Sequence, residues 1–131
     1  MSSPYTHRMR VRYAECDAQG VVYFARYPFF FDVAITELWR DRIGPYDEMV
    51  RAGSDFVVTE MNVRYRAPAL FDDEIDVVID DVRIGETSLT FDWRIVRGDD
   101  LLVEGMLRQV CIDPATKRKK RVPDDVRAGL S

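Results

Sequence analysis

The sequence predicts an α+β fold in which one long central helix is wrapped by a five-stranded antiparallel sheet. Three observations carry this. Segment 27–42 is apolar on nearly every side, four segments after residue 55 alternate apolar with polar side chains, and one further alternating segment precedes the helix. A period of two marks a half-buried strand, whereas apolar side chains in more than one helical stripe mark a helix enclosed by other structure. The lengths agree. Strands of about 10 residues span roughly 33 Å and the helix roughly 24 Å, so a twisted sheet can cover the helix from end to end.

In chain order, residues 8–14 place Met9, Val11 and Tyr13 on one face and Arg8, Arg10 and Arg12 on the other, which predicts a strand. The Asp-Ala-Gln-Gly turn of Asp17 to Gly20 and a short apolar link follow. Helix signals then come together: Pro28 fits the first turn, Asp32 suits the positive end, Arg40 and Arg42 suit the negative end, and Gly44-Pro45 stops the run. Phe29, Phe30, Phe31, Val33, Ala34, Ile35, Leu38 and Trp39 fill more than one stripe of this helix. Next, Val57, Thr59, Met61, Val63 and Tyr65 alternate with Val58, Glu60, Asn62, Arg64 and Arg66 until Pro68 ends the strand. Ile75, Val77 and Ile79 alternate with Asp76, Val78 and Asp80; Gly85-Glu86 makes a tight turn; and Leu89, Phe91, Trp93 and Ile95 alternate with Thr90, Asp92, Arg94 and Val96. Gly98-Asp99-Asp100 turns into a last strand over 101–112, and Pro123 allows a short terminal helix. One wetter face is expected on each of these strands, as a sheet with one side on a core requires.

Composition narrows the function. The 131 residues are expected to form a single domain, 1–131, of a size that buries about two thirds of its unfolded surface. Nineteen basic against 23 acidic side chains, net charge -4, argue against a nucleic-acid partner, which would need a basic stripe to displace counterions. No run approaches the roughly 18 apolar residues of a membrane span, and the N-terminus lacks a signal-peptide pattern, so the expected compartment is the cytoplasm. Cys16 and Cys111 belong to no Cys-x-x-Cys pair and are expected as free thiols; no metal-ligand cluster is visible.

The stretch "RYAECDAQGVVYFARYPFFFDVA" resembles the Asp-x-x-Gly-Val-Val-Tyr segment of the 4-hydroxybenzoyl-CoA thioesterase family as it runs into the buried helix, and "VRYRAPALFDDEIDV" and "VRIGETSLTFDWRIVRGDDLLVEG" resemble that family's later strands. The resemblance covers nearly the whole chain and implies the hotdog fold. It implies an enzyme, an acyl-CoA thioesterase, with the catalytic carboxylate at Asp17 as nucleophile or general base. The thioester carbonyl would receive the backbone N–H of Phe24, helped by Gly20 or Val21. CoA belongs to the substrate, so no cofactor is expected. The family's sites lie between subunits, which implies a homodimer at least and a dimer of dimers as the expected state. Independent physics agrees, because a helix N-terminus offers unpaired N–H donors and partial positive charge to a developing oxyanion.

Tyr23 and Tyr27, beside Phe24, are candidates for the acyl pocket, as is Thr59, the one polar residue on the apolar face of its strand. Arg83, Ser88 and the run "KRKKR" of Lys117 to Arg121, with Arg118 and Lys119 foremost, are candidates for the CoA phosphates. Bland readings stand beside these: an Asp before Ala-Gln-Gly caps a turn, a Thr is a good strand former, and a basic run is often solvated surface. Asp32, Glu37 and Glu60 are read as structural carboxylates, Cys16 as a small buried residue and His7 as a surface side chain. The sequence departs from relatives in having Phe24 where an envelope-associated bacterial branch carries His, Ile35 where many carry a basic residue, and Glu86 where many carry Lys or Arg. In this respect Phe24 resembles the aryl or hydrophobic-acyl side of the family. Two other classes remain open: a non-enzymatic acyl-CoA or acyl-carrier-protein binding module, and another hotdog enzyme such as a hydratase.

Overall fold

The computed structural model describes residues 3–131. Strand β1 (Tyr5–Arg10) is followed by two 3-10 turns (Tyr13–Glu15 and Phe24–Arg26), helix α1 (Tyr27–Arg42), a short helix α2 (Tyr46–Arg51), strands β2 (Asp55–Tyr65), β3 (Glu74–Ile84), β4 (Ser88–Arg97) and β5 (Asp100–Ile112), and helix α3 (Asp124–Leu130). All strand pairs are antiparallel, and the sheet order is β1-β3-β4-β5-β2. This is the expected α+β architecture, with α1 at the predicted residues.

The first strand lies earlier than its alternation predicts. Residues beyond Arg10 leave the sheet because Glu15, almost fully buried, folds the chain back. Its carboxylate accepts the Arg12 N–H at 2.7 Å and the Arg12 guanidinium at 3.0 Å, closing a capping box around the first 3-10 turn. Tyr13, expected on the apolar face, is therefore largely exposed. His7 is half-buried, sharing the inward face of β1 with Tyr5 and Met9. Helix α2, which the sequence reading did not include, follows Pro45.

The core lies between α1 and the inner face of the sheet. Phe31 stacks on Trp93 of β4 with ring centroids 4.8 Å apart and meets Phe91 edge-on, while Trp39 packs on Phe56 at the start of β2 at 5.5 Å. Leu89, Phe91, Trp93 and Ile95 all point inward and are buried. Gly105 of β5 faces Trp93 across the ladder, and a Cβ there would approach the indole to 2.8 Å and the Asn62 carbonyl oxygen to 2.5 Å, so only glycine fits.

Strand β2 differs from the expectation of one wet face. A bulge between Val58 and Glu60 leaves Thr59 without a ladder partner and exchanges the faces on its two sides, so that Val58 and Met61, not Val57 and Met61, share the inner face. Beyond Phe56, that face is largely open, with only Val63 partly covered: Val58 is 57% exposed, Met61 47% and Tyr65 49%.

Candidate active site

The Asp17 turn is built by its own backbone. Asp17 N–H donates to the Val21 carbonyl at 2.8 Å and Gly20 N–H donates to the Asp17 carbonyl at 3.0 Å. Gly20 closes the turn at φ +79°, a conformation that glycine adopts without strain. Single bridges tie Cys16 to Val22 and Val21 to Leu70, holding the turn against the link between β2 and β3. The Gln19 N–H donates to Asp17 Oδ1 at 2.8 Å, so the side chain does cap its turn. Its second oxygen, Oδ2, has no partner among the described residues. Asp17 is half-buried and borders a hollow of about 440 Å³ with Tyr13, Cys16, Ala18, Gly20 and Phe71.

Four residues past that turn's glycine, the 3-10 turn Phe24–Arg26 leads directly into α1. Phe24 is its first residue, so its N–H has no acceptor within the turn, and no other described residue accepts it. The Phe24 ring is 61% exposed and borders a second, mainly apolar hollow of about 320 Å³ with Val22, Tyr27, Tyr65, Arg66, Ala67 and Pro68. Val22, immediately after the Asp17 turn, is a wall of this hollow, so the carboxylate and the aromatic hollow adjoin along the chain. Tyr27 lines the hollow from below; it is buried, and its hydroxyl accepts the Ala69 N–H at 3.0 Å. Burial pushes the Tyr27 pKa up, keeping the phenol neutral. Tyr23 lies half-exposed against the Phe24 ring at 4.8 Å, its N–H held by the Glu15 carbonyl. Burial, together with the nearby Asp17 and Glu15 charges, raises the Cys16 thiol pKa, the opposite of what a thiolate nucleophile needs.

The remaining candidates lie elsewhere. Thr59 lies at the β2 bulge in neither hollow, and its hydroxyl accepts an Arg108 N–H at 3.1 Å. Arg83 forms an ion pair with Asp92. Ser88 opens β4 opposite Val110. Arg118 and Lys119 are exposed in the loop after β5; Lys119 bridges to Ile112, while Arg121 of the same run contacts Glu86 at 3.4 Å. Ser88 and the basic loop therefore share the Ile112 end of the sheet. The aromatic hollow sits at the Val103 end, where Tyr65 pairs, about 30 Å away along β5. The sequence reading placed Tyr65 on an apolar strand face but missed its place, and that of Pro68 and Phe71, in these walls. The aromatic residues closing a strand and its following loop were the available signal. A third hollow, about 440 Å³ on the sheet's outer face, is lined by Asp80, Asp92, Arg94 and Glu104, among others. Its acidic side chains are already paired, Asp80 with Arg94 at 3.0 Å, Asp92 with Arg83 and Glu104 with Arg66 at 3.1 Å.

A helix wrapped by this sheet, with a carboxylate turn ahead of a free N–H at the helix start, defines the class of hotdog-fold thioesterases. The model of the thioesterase-like superfamily matches residues 11–130, and the chain belongs to that family. It is 36% identical over 119 residues to the acyl-CoA thioester hydrolase YbgC of Escherichia coli O6:H1, covering 90% of this chain and 89% of that protein. It is 24% identical over 123 residues to the 1,4-dihydroxy-2-naphthoyl-CoA hydrolase of Nostoc punctiforme, covering 93% and 83% of the two chains. Among solved structures, a hypothetical protein from Aquifex aeolicus superposes with a TM-score of 0.91 at 23% identity, over 97% of this chain and 99% of the other.

Proposed function

We propose that this protein, an acyl-CoA thioester hydrolase by family, releases a free carboxylic acid and CoA from an aryl- or medium-chain acyl-CoA. Asp17 acts as nucleophile or general base, with the Phe24 N–H as donor to the carbonyl oxygen and Gly20 shaping the turn. The observation that carries this reading is the half-engaged carboxylate: Oδ1 is anchored by Gln19 while Oδ2 is free, just ahead of the unpaired N–H at the helix start. As nucleophile, Oδ2 bonds to the carbonyl carbon, the C–S bond breaks, and the CoA thiolate leaves and takes a proton; water then cleaves the mixed anhydride. As base, Asp17 takes a proton from a water molecule that adds directly. Both routes put negative charge on the carbonyl oxygen, where one preorganised donor is worth about 10² to 10³ in rate. The apolar hollow formed by Phe24, Tyr27 and Tyr65 favours a flat or aliphatic acyl group over a charged one.

A second copy of the chain completes the site. The open inner face and unpaired edge of β2 suit antiparallel pairing with β2 of another copy about a two-fold axis. Such pairing brings the Asp55 end of one β2 beside the Tyr65 end of the other. Asp55 pairs with Ile112, which bridges Lys119. The partner subunit's Arg118 and Lys119 thereby come to the end of the sheet that holds Asp17, where they can meet the CoA phosphates. A homodimer is the smallest complete enzyme, and pairing of dimers gives the tetramer; the compartment proposed for it is the cytoplasm.

The test is thiol release from a panel of aryl, medium-chain and long-chain acyl-CoA esters by the wild type and Asp17→Asn. The expected result is turnover of aryl or medium-chain esters and a loss of about 10² or more in kcat, at similar KM, in the variant. Equal turnover by the two proteins would overturn the assignment of Asp17. A wild type that binds acyl-CoA without turning it over would make the protein a binding module.

A further inference from the structure

We infer that the Tyr65 hydroxyl is a positioning group for the thioester step, holding the turn that presents the Phe24 N–H. The inference rests on the proposed role of that N–H. Tyr65 is the last residue of β2, and its hydroxyl crosses from the sheet to donate to the Phe24 carbonyl oxygen at 2.9 Å. Its ring meets Phe24 edge-on at 6.4 Å and Tyr27 at 5.6 Å, so the side chain is oriented by packing on both sides.

The turn needs an external hold. It is one 3-10 turn of three residues, and its N-cap residue, Tyr23, makes no side-chain capping bond. A single such turn has poor hydrogen-bond geometry and gains nothing from helical cooperativity. The Tyr65 bond fixes the orientation of the peptide between Phe24 and Ala25, and hence the backbone on both sides of it. This hold acts on the Phe24 N–H as the carbonyl oxygen becomes an oxyanion, not on the acyl group in the ground state. Misplacement of such donors costs rate without costing affinity. A tyrosine that served only as a hydrophobic wall would work as well without its oxygen.

The experiment uses the full chain with Tyr65→Phe, which removes only the hydroxyl, and Tyr65→Leu, which also removes the ring. Hydrolysis of benzoyl-CoA, or of hexanoyl-CoA if that turns over faster, is followed by thiol release. Binding of the matching CoA thioether, with methylene in place of the carbonyl, is measured in parallel. Tyr65→Phe is expected to lower kcat about 5- to 10-fold, the size of one hydrogen bond's net contribution, with KM and thioether affinity within about twofold of wild type. Tyr65→Leu is expected to lose thioether affinity as well. Wild-type kcat in Tyr65→Phe would overturn the inference and leave the ring alone with a role. A rise in KM with unchanged kcat would also overturn it, because the hydroxyl would then act in ground-state binding. Asp17→Asn, assayed alongside, separates the two levels: if it retains full activity, the site reading falls and Tyr65 with it, whereas an inactive Asp17→Asn beside a fully active Tyr65→Phe sinks only the Tyr65 role.

Discussion

Strands β4 and β2 have the same kind of sequence and different fates. Both alternate large apolar residues with polar ones, yet Leu89, Phe91, Trp93 and Ile95 of β4 are buried while Val58, Met61 and Tyr65 of β2 are about half exposed. The difference lies in their neighbours. Strand β4 sits in mid-sheet with the aromatic face of α1 against it, whereas β2 is an edge strand whose inner face is buried at Phe56 and only partly covered at Val63. Alternation reports that a face is to be buried; it does not report by what. In β4 the cover belongs to the same chain, and in β2 the proposed cover is a second copy, which places stability and activity under control of different strands of one face.

The largest effect expected from this contrast is on the covered strand. Phe91→Ala removes a fully buried ring beside Phe31 and should destabilise the fold by about 3–5 kcal/mol, read as a shift in the urea midpoint with unchanged slope. A loss below about 1 kcal/mol would mean that the centre of the sheet tolerates a cavity and the contrast is weaker than drawn. On the open strand, Met61→Lys should leave the unfolding transition of the monomer nearly unchanged, since a half-exposed site accepts a charge. Sedimentation should instead show a shift from oligomer to monomer of about tenfold or more in the dissociation constant, with activity that falls on dilution. Retention of the wild-type oligomer by Met61→Lys would remove β2 from the proposed interface.

The same distinction explains what could be read in the sequence. Helix α1 was legible to the residue because Pro28, the basic last turn and Gly44-Pro45 are local signals, and local signals do not depend on distant partners. The first strand was misplaced because the buried Glu15 and the Arg12 guanidinium form a capping box in a segment whose alternation alone reads as strand. The bulge at Thr59 was invisible for a related reason: an extra residue changes which face follows, and only the ladder with β5 reveals it. At the candidate site, the order of carboxylate, glycine turn and helix start is written in consecutive residues, and it was the family resemblance of that stretch that named Asp17 and Phe24 together. The contact of Tyr65 with Phe24 spans 41 residues of sequence and has no pattern of its own. Arg118 and Lys119 were named for CoA contact from charge, and charge does not specify the end of the sheet on which they lie.

The smallest expected effect concerns how the site's loops are held, by polar ties where β4 is held by packing. The loop from Leu70 to Asp73 carries the bridge between Leu70 and Val21 that steadies the Asp17 turn. Asp73 anchors this loop: its Oδ2 accepts the Leu70 N–H at 2.8 Å and the Arg97 guanidinium at 2.7 Å. Partial burial alone would raise the Asp73 pKa, but the Leu70 N–H and Arg97 together outweigh it and hold the carboxyl below its ordinary range. A carboxylate whose folded pKa is depressed contributes stability above its unfolded pKa, near 4, and that contribution is lost as pH falls through the lower folded value. Melting temperature should therefore fall more steeply for wild type than for Asp73→Asn as pH drops from about 5 to about 3. Near pH 7, Asp73→Asn should be the less stable of the two, by an amount kept small because the pair is partly open to solvent. Parallel pH profiles for the two proteins would mean that Asp73 has the same proton affinity folded and unfolded, and that the loop beneath the Asp17 turn is held by its backbone bonds alone.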